Sequence, residues 1–168
     1  SETHQTTLTQ YNLDKWTDAI TDAAEGDTVY FTPGKFYGNL TIDKAIILIG
    51  AGVAQVDTWF INEQSGIQNA LADCGLPTDT GTCITGTVYI NLEDNPTLTK
   101  NMLEGFLIHG SIHVNKPVTG LSIKRCQVGG NFKAETIDTI CTNVTLERCK
   151  FNLVYCGFLE NPHIRNCY

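Results

Sequence analysis

Three segments in the C-terminal third of the chain share one register around a cysteine: Leu121-Ser-Ile-Lys-Arg-Cys126-Gln-Val128, Val144-Thr-Leu-Glu-Arg-Cys149-Lys-Phe151 and Pro162-His-Ile-Arg-Asn-Cys167-Tyr168. Positions five and three before each cysteine are apolar, and the first two copies place Val128 or Phe151 two after it. Period-two alternation marks a strand with one buried face. The three-residue step from Ile123 to Cys126 breaks that phase, so each copy reads as strand, bend, strand. The cysteines are 23 and then 18 residues apart. A variable period of roughly 20 residues built from strands predicts a β-solenoid, whose equivalent inward residues stack from rung to rung and whose insertions leave at the corners. Cys126, Cys149 and Cys167 then form a ladder of small buried hydrophobes. Looser copies occur upstream at Thr28-Val-Tyr-Phe31, Asn39-Leu-Thr-Ile42, Ala45-Ile-Ile-Leu-Ile49, Thr87-Val-Tyr-Ile90 and Gly105-Phe-Leu-Ile108. The sum is about five or six rungs, a stack of only ~25 Å at ~4.8 Å per rung.

Residues 12–25 precede the rungs and carry Leu13, Trp16, Ile20, Ala23 and Ala24 on one helical face, with Asn12 as N-cap and Gly26 as the stop. A solenoid end exposes its lumen and its strand edges, so this amphipathic helix is expected to cap it. Residues 51–86 interrupt the repeat as a long lateral excursion, and the whole of residues 1–168 reads as a single domain. The last residue, Tyr168, falls inside the third cysteine rung. That end is expected to be open, which fits a piece of a longer solenoid, self-association through the C-terminal rung, or closure by the bulk of the rung itself.

The run from Ala19 to Gly52 resembles the opening of the pectin lyase-like superfamily, to which pectin methylesterases and pectate lyases belong. The resemblance rests on an alanine-rich helix, Gly26-Asp27-Thr28 entering a strand, Pro33-Gly34 before an aromatic, and Ile42-Asp43-Lys44 leading to Leu48-Ile49-Gly50. The cysteine rungs are similar to the middle coils of that superfamily. The resemblance implies an all-β fold, a single-stranded right-handed parallel β-helix, and a polysaccharide partner, often acidic. It carries over no catalytic residue. The chain has no Asp-Phe-Ile-Phe-Gly or Leu-Gly-Arg-Pro-Trp stretch as in pectin methylesterases and no Arg-x-Pro-x-x-Arg as in pectate lyases. It also lacks the Asn-Thr-Asp, Asp-Asp, Gly-His-Gly and Arg-Ile-Lys series of polygalacturonases. The expected function is therefore a non-catalytic, extracytoplasmic carbohydrate-binding or surface module. The alternatives are a polysaccharide lyase or hydrolase, with Ca²⁺ as cofactor only if it is a lyase, and a structural piece of a fibre or spike.

Lys124, Arg125, Arg148, Lys150 and Arg165 occupy repeat-equivalent places, so a short cationic stripe is expected up one side. Uronate or sulfate groups along a polymer suit such a stripe, Arg by bidentate bonds; the alternative is a solvated face interleaved with Glu147. In the excursion, Trp59 is a candidate for stacking on a sugar ring or, alternatively, for packing the excursion onto the solenoid. Cys74 and Cys83 flank eight residues and are candidates for a local disulfide, as are Cys141 and Cys156 across a corner. If both bonds form, the three ladder thiols remain, which favours an oxidising, secreted or extracytoplasmic location. Glu93, Asp94, His109 and His113 flank neighbouring strands and are candidates to converge as acid–base groups or ligands, although no metal-binding motif supports them. Asn39 and Asn143 begin glycosylation sequons.

Composition removes other classes. A net charge of −7 argues against holding a nucleic-acid backbone, which needs clustered Lys and Arg. The longest apolar run, Ala45 to Ala54, is ten residues, about half a bilayer span. Charged residues are only 17% against 42% hydrophobic, so the chain buries a core and covers itself with uncharged polar groups.

Overall fold

A computed structural model describes residues 5–8, 15–53, 81–134, 140–157 and 159–168. They are mostly β, with one short helix, and the strands form four parallel sheets. Sheet A runs β1 (Gln5–Leu8), β2 (Thr28–Phe31), β5 (Ile47–Ile49), β8 (Leu103–Glu104), β12 (Ser122–Lys124), β16 (Thr145–Glu147) and β19 (His163–Arg165). Sheet B runs β3 (Gly34–Phe36), β6 (Thr82–Ile84), β9 (Phe106–Ile108) and β13 (Gln127–Val128). Sheet C runs β4 (Leu40–Ile42), β7 (Val88–Ile90), β10 (Ile112–Val114), β14 (Phe132–Ala134) and β17 (Val154–Cys156). Sheet D runs β11 (Val118–Thr119), β15 (Cys141–Thr142) and β18 (Leu159–Glu160). The chain visits the sheets in turn and pairs each strand with those of the preceding and following passes, an arrangement compatible with a β-solenoid.

The repeat explains this register. Ile123 pairs with Leu103 and Leu146, and Leu146 pairs with Ile164, so the position three before each cysteine becomes one inward row. Leu121, Ile123, Cys126, Val128, Val144, Leu146 and Cys149 are all fully buried in one core. Burying each large aliphatic side chain contributes about 1.5–3 kcal/mol, so consecutive passes hold one another. The phase break falls where the three-residue step placed it. Arg125 and Arg148, directly before their cysteines, adopt φ of 49° and 52°, and Asn166 adopts 51°. One left-handed residue per pass turns the chain from sheet A towards sheet B. Between sheets B and C, the amide of Gly130 donates to the carbonyl of Gly110, and the amide of Gly110 donates to the carbonyl of Gly86. A Cβ on Gly110 would lie 2.7 Å from the Gly86 carbonyl oxygen, so the stacked corner excludes any side chain there.

The helix differs from its expected bounds. α1 spans Trp16–Asp22, and Lys15 occupies the N-cap without a side-chain capping bond. Asn12, the expected cap, lies outside the described residues with Leu13 and Asp14. Trp16 and Ile20 are buried in the core. The Trp16 ring meets Phe31 and Phe36 edge-on at 6.0 and 5.7 Å, and its Nε1 donates to the Tyr37 carbonyl at 2.9 Å. Lys44 Nζ donates to the carbonyls of Thr21 and Ala23 at 2.5 and 2.7 Å, placing a cation on the negative end of the helix.

The stretch expected as an excursion over 51–86 rejoins the sheets earlier. Residues 82–84 are already β6, which pairs with β3 and β9 and is buried at all three positions. Thr82 is the reason: its hydroxyl donates to the Thr32 carbonyl at 3.0 Å and accepts the Ala51 amide at 2.8 Å, tying the re-entry to the departure point. Trp59, Cys74 and the carboxylates of the excursion lie outside the described residues.

Candidate functional site

The outward positions of sheet A read Glu104, Lys124, Glu147 and Arg165 along the register. The left-handed corner beside them adds Arg125 and Arg148. The expected cationic stripe is therefore a checkerboard. Lys124 Nζ lies 3.3 Å from Glu147 Oε2, and the Arg125 guanidinium donates twice to Glu104 Oε1, at 2.9 and 3.2 Å. These five side chains, Glu104, Lys124, Arg125, Glu147 and Arg148, line a shallow recess of about 290 Å³. Arg148 is exposed and has no side-chain partner among the described residues, and the same holds for Arg165 one pass further on. Lys150 is not in the recess. It lies beyond the corner, bridged to Gln127, with Nζ 5.6 Å from the centre of the Tyr168 ring, and desolvation lowers its pKa.

Alternating charge is what parallel strands with outward ionic side chains require, because like charges directly opposite repel. Each exposed pair contributes at most about 1 kcal/mol. The arrangement nevertheless holds two cationic heads, Lys124 and Arg125, beside a third, Arg148, that is exposed and has no side-chain partner among the described residues.

The other outer faces differ. On sheet B the outward row Lys35, Cys83, Leu107 and Gln127 is largely covered, with Cys83 6% and Leu107 2% exposed although neither belongs to the central core. On sheet C the outward row is Thr41, Tyr89, His113, Lys133 and Tyr155. Tyr89 and His113 meet edge-on at 5.4 Å, and Lys133 Nζ lies 5.7 Å from the Tyr155 ring centre. Sequence reasoning missed this row. Its signal is a set of triplets with apolar flanks, Val-Tyr-Ile, Ile-His-Val, Phe-Lys-Ala and Val-Tyr-Cys, without a cysteine anchor to align them.

The cysteine ladder stands as expected. Cys126 and Cys149 are fully buried and Cys167 is partly buried against the same core. Cys149 Sγ lies 3.4 Å from the Ile123 carbonyl oxygen, and Cys167 Sγ lies 3.3 Å from that of Leu146. Burial pushes the Cys149 thiol up to about 12, with neighbouring Cys167 adding to it, and pushes Cys126 further still, with Cys149 adding. The expected Cys141–Cys156 disulfide is not formed: Cys141 is a free, fully buried thiol. The reason is its row, since Cys141 stacks between Val118 and Leu159 in sheet D and fills the core as a hydrophobe, while Cys156 belongs to sheet C. Burial raises the Cys141 pKa as well. Cys83 is a buried member of β6, and its expected partner Cys74 lies outside the described residues.

The acid–base groups do not gather. Glu93 pairs with Lys116, Asp94 sits at φ 61° in the next turn, His109 follows β9 at a corner, and His113 joins the sheet C row. Among the described residues no group of three or more His, Cys, Asp or Glu side chains is placed to hold a metal ion. No described helix is long and apolar enough to cross a membrane. Neither a protein-family model, nor a curated protein, nor a solved structure matches the chain.

Proposed function

We propose that the chain is a right-handed parallel β-helix of the pectin lyase-like type and acts as a non-catalytic, extracytoplasmic carbohydrate-binding module for acidic polysaccharide. The observation that carries this reading is the recess at the sheet A corner, where Lys124 and Arg125 are held by carboxylates beside an Arg148 that has no such partner among the described residues. Arg165 continues the cationic positions one pass on, so anionic groups repeated along a polymer meet more than one cation. A checkerboard also rejects densely charged anions through Glu104 and Glu147, which favours polymers with one charge per sugar.

The test is incubation with acidic and neutral polysaccharides, with and without Ca²⁺, reading both retention of the protein and new reducing or unsaturated ends. Retention without products supports the module. Products that persist through stringent purification make the chain a lyase or hydrolase instead.

A second reading, a structural piece that assembles end to end, is favoured by the last pass. Ile164 and Val154 occupy inward rows yet are 50% and 39% exposed, and β17, β18 and β19 are edge strands of their sheets. Absence of any retained polymer together with a stable oligomer moves the weight to that role.

A further inference from the structure

We infer that the edge of sheet D at Thr97 is a docking site for an extended, aliphatic peptide segment of a partner protein, which adds there as a further strand. The site follows from unequal passes. The first pass runs from β4 to β5 through four residues, 43–46, whereas the next takes twelve, 91–102, from β7 to β8. The short connection turns directly, with the Ile46 amide donating back to the Lys44 carbonyl at 3.0 Å. The long one lets Thr97 extend sheet D through a parallel bridge to Thr119. Sheet D therefore has a row at Thr97 that no strand of the first pass pairs with. A cleft of about 300 Å³ lies there, between Thr97 and Thr99 on one side and Ala45 on the other.

The bridge fixes which main-chain groups face the cleft. The Leu98 amide donates to the Thr119 carbonyl at 2.7 Å, and the Thr119 amide donates to the Pro96 carbonyl at 3.1 Å. The groups on either side of Thr97 are thus used towards the following pass, and alternation along extended chain turns the N–H and C=O of Thr97 itself to the opposite edge. Thr97 and Thr99 both line the cleft, and neither makes a main-chain hydrogen bond of its own among the described residues. The floor beside them is apolar, since Ile46 and Met102 are buried and Leu98 packs on the core half-buried. A donor and an acceptor side by side over an apolar floor match another main chain, whose amides and carbonyls complete the ladder while an aliphatic side chain covers the floor. The rim carries one acid and one base, Glu25 and Lys100, and the Glu25 carboxylate already accepts the Ala45 amide at 3.2 Å. Charge therefore selects neither an anionic nor a cationic segment, and the main chain is the recognised feature. The cleft shares no lining residue with the recess at the sheet A corner, so the two sites stand or fall separately.

The test is a titration of the ¹⁵N-labelled whole chain with the peptide acetyl-Thr-Val-Thr-Val-Thr-amide, read by amide resonances and by hydrogen exchange. The Thr97 and Thr99 resonances are expected to shift, and exchange of the Thr97 amide to slow. Two N-methylated forms of the peptide, each blocking the amides along one edge, separate strand pairing from mere apolar contact. One form is expected to bind about tenfold more weakly and the other to bind as the parent does. Thr97→Pro, which deletes the facing amide, and Ala45→Phe, which places a ring in the cleft, are each expected to weaken binding, with thermal midpoints measured alongside. The methylated peptides decide the matter if both variants unfold. Equal binding by all three peptides overturns the inference, as does no binding at millimolar peptide. Shifts confined to the edge strands β17, β18 and β19 overturn it too. A Thr97 amide already protected without peptide shows the edge to be paired within the chain, and resonances of Thr97 and Thr99 that move on dilution alone show the occupant to be a second copy; either result overturns a partner peptide.

Discussion

Cys126 and Cys149 are buried thiols that the fold keeps neutral, and the sign of their effect on stability follows from that. Their pKa values are raised above the ordinary 9.0 by burial, with Cys149 adding to the rise of Cys126 and Cys167 to that of Cys149, so the folded chain retains protons that the unfolded chain releases. The stabilisation is fully present below about pH 9 and is lost as pH rises through the window from about 9 to about 12. The midpoint of urea unfolding should therefore fall between about pH 8.5 and 10.5, and fall less in a Cys126→Val/Cys149→Val variant. Equal slopes for the two proteins would show that other groups cause the loss. In the recess, Glu104 restrains Arg125 through two hydrogen bonds, and both side chains are partly solvated. Glu104→Gln should change stability by less than about 1 kcal/mol. By releasing Arg125 and removing a like charge from the ligand's path, it should tighten binding to polygalacturonate severalfold in affinity electrophoresis. Weaker binding would mean that Glu104 positions Arg125 for the ligand. The inward ladder was legible in the sequence because Leu121 with Ile123, and Cys126 with Val128, alternate locally on either side of the bend. The ion pairs were not, because Arg125 with Glu104 and Lys124 with Glu147 meet only through the register between passes.

At the scale of elements, α1 is too short to stand alone, since isolated helices of fewer than ~12 residues are marginal in water. It is held by Trp16 and Ile20 below and by Lys44 at its C-terminal carbonyls. Lys44→Met keeps the aliphatic stem and deletes both bonds, so it should cost about 1 kcal/mol or somewhat more in urea unfolding. Hydrogen exchange should speed up first in residues 16–22. The corner between sheets B and C is less forgiving. Gly110→Ala should cost about 1–3 kcal/mol, because the new methyl meets the Gly86 carbonyl and the Thr87 hydroxyl in a stack of consecutive passes. A thermal midpoint within a degree of the parent would show that the corner relaxes freely. The presence of a helix was readable from the apolar face, whereas the starting residue was not. Trp16 fixes the described start through its bond to Tyr37, a contact 21 residues away.

At the scale of the whole molecule, the first and last described passes differ. The first carries α1, whose Trp16 joins the aromatic cluster of Phe31, Phe36 and Phe106. The last leaves Val154 and Ile164 exposed on edge strands, with Tyr168 exposed beyond β19. If the chain assembles end to end, as the second reading proposes, sedimentation velocity over a rising concentration series shows self-association that Ile164→Glu weakens, since a charge on an inward row opposes both lumen burial and edge pairing. A chain that remains monomeric throughout removes this end as a contact between copies. What the amino-acid sequence determined by itself is the periodic part: strands with a bend before each cysteine, inward rows of Leu, Ile, Val and Cys, and an apolar helix ahead of them. Those features follow from side-chain alternation within a few residues, which needs no knowledge of neighbours. Tertiary structure alone decided which outward residues meet. The offset between passes changes with every corner, and an outer row such as Tyr89, His113, Lys133 and Tyr155 becomes adjacent only when main-chain hydrogen bonds lock that register. The same locking placed Cys141 between Val118 and Leu159 and away from a disulfide, because inward stacking decides which atoms a thiol meets.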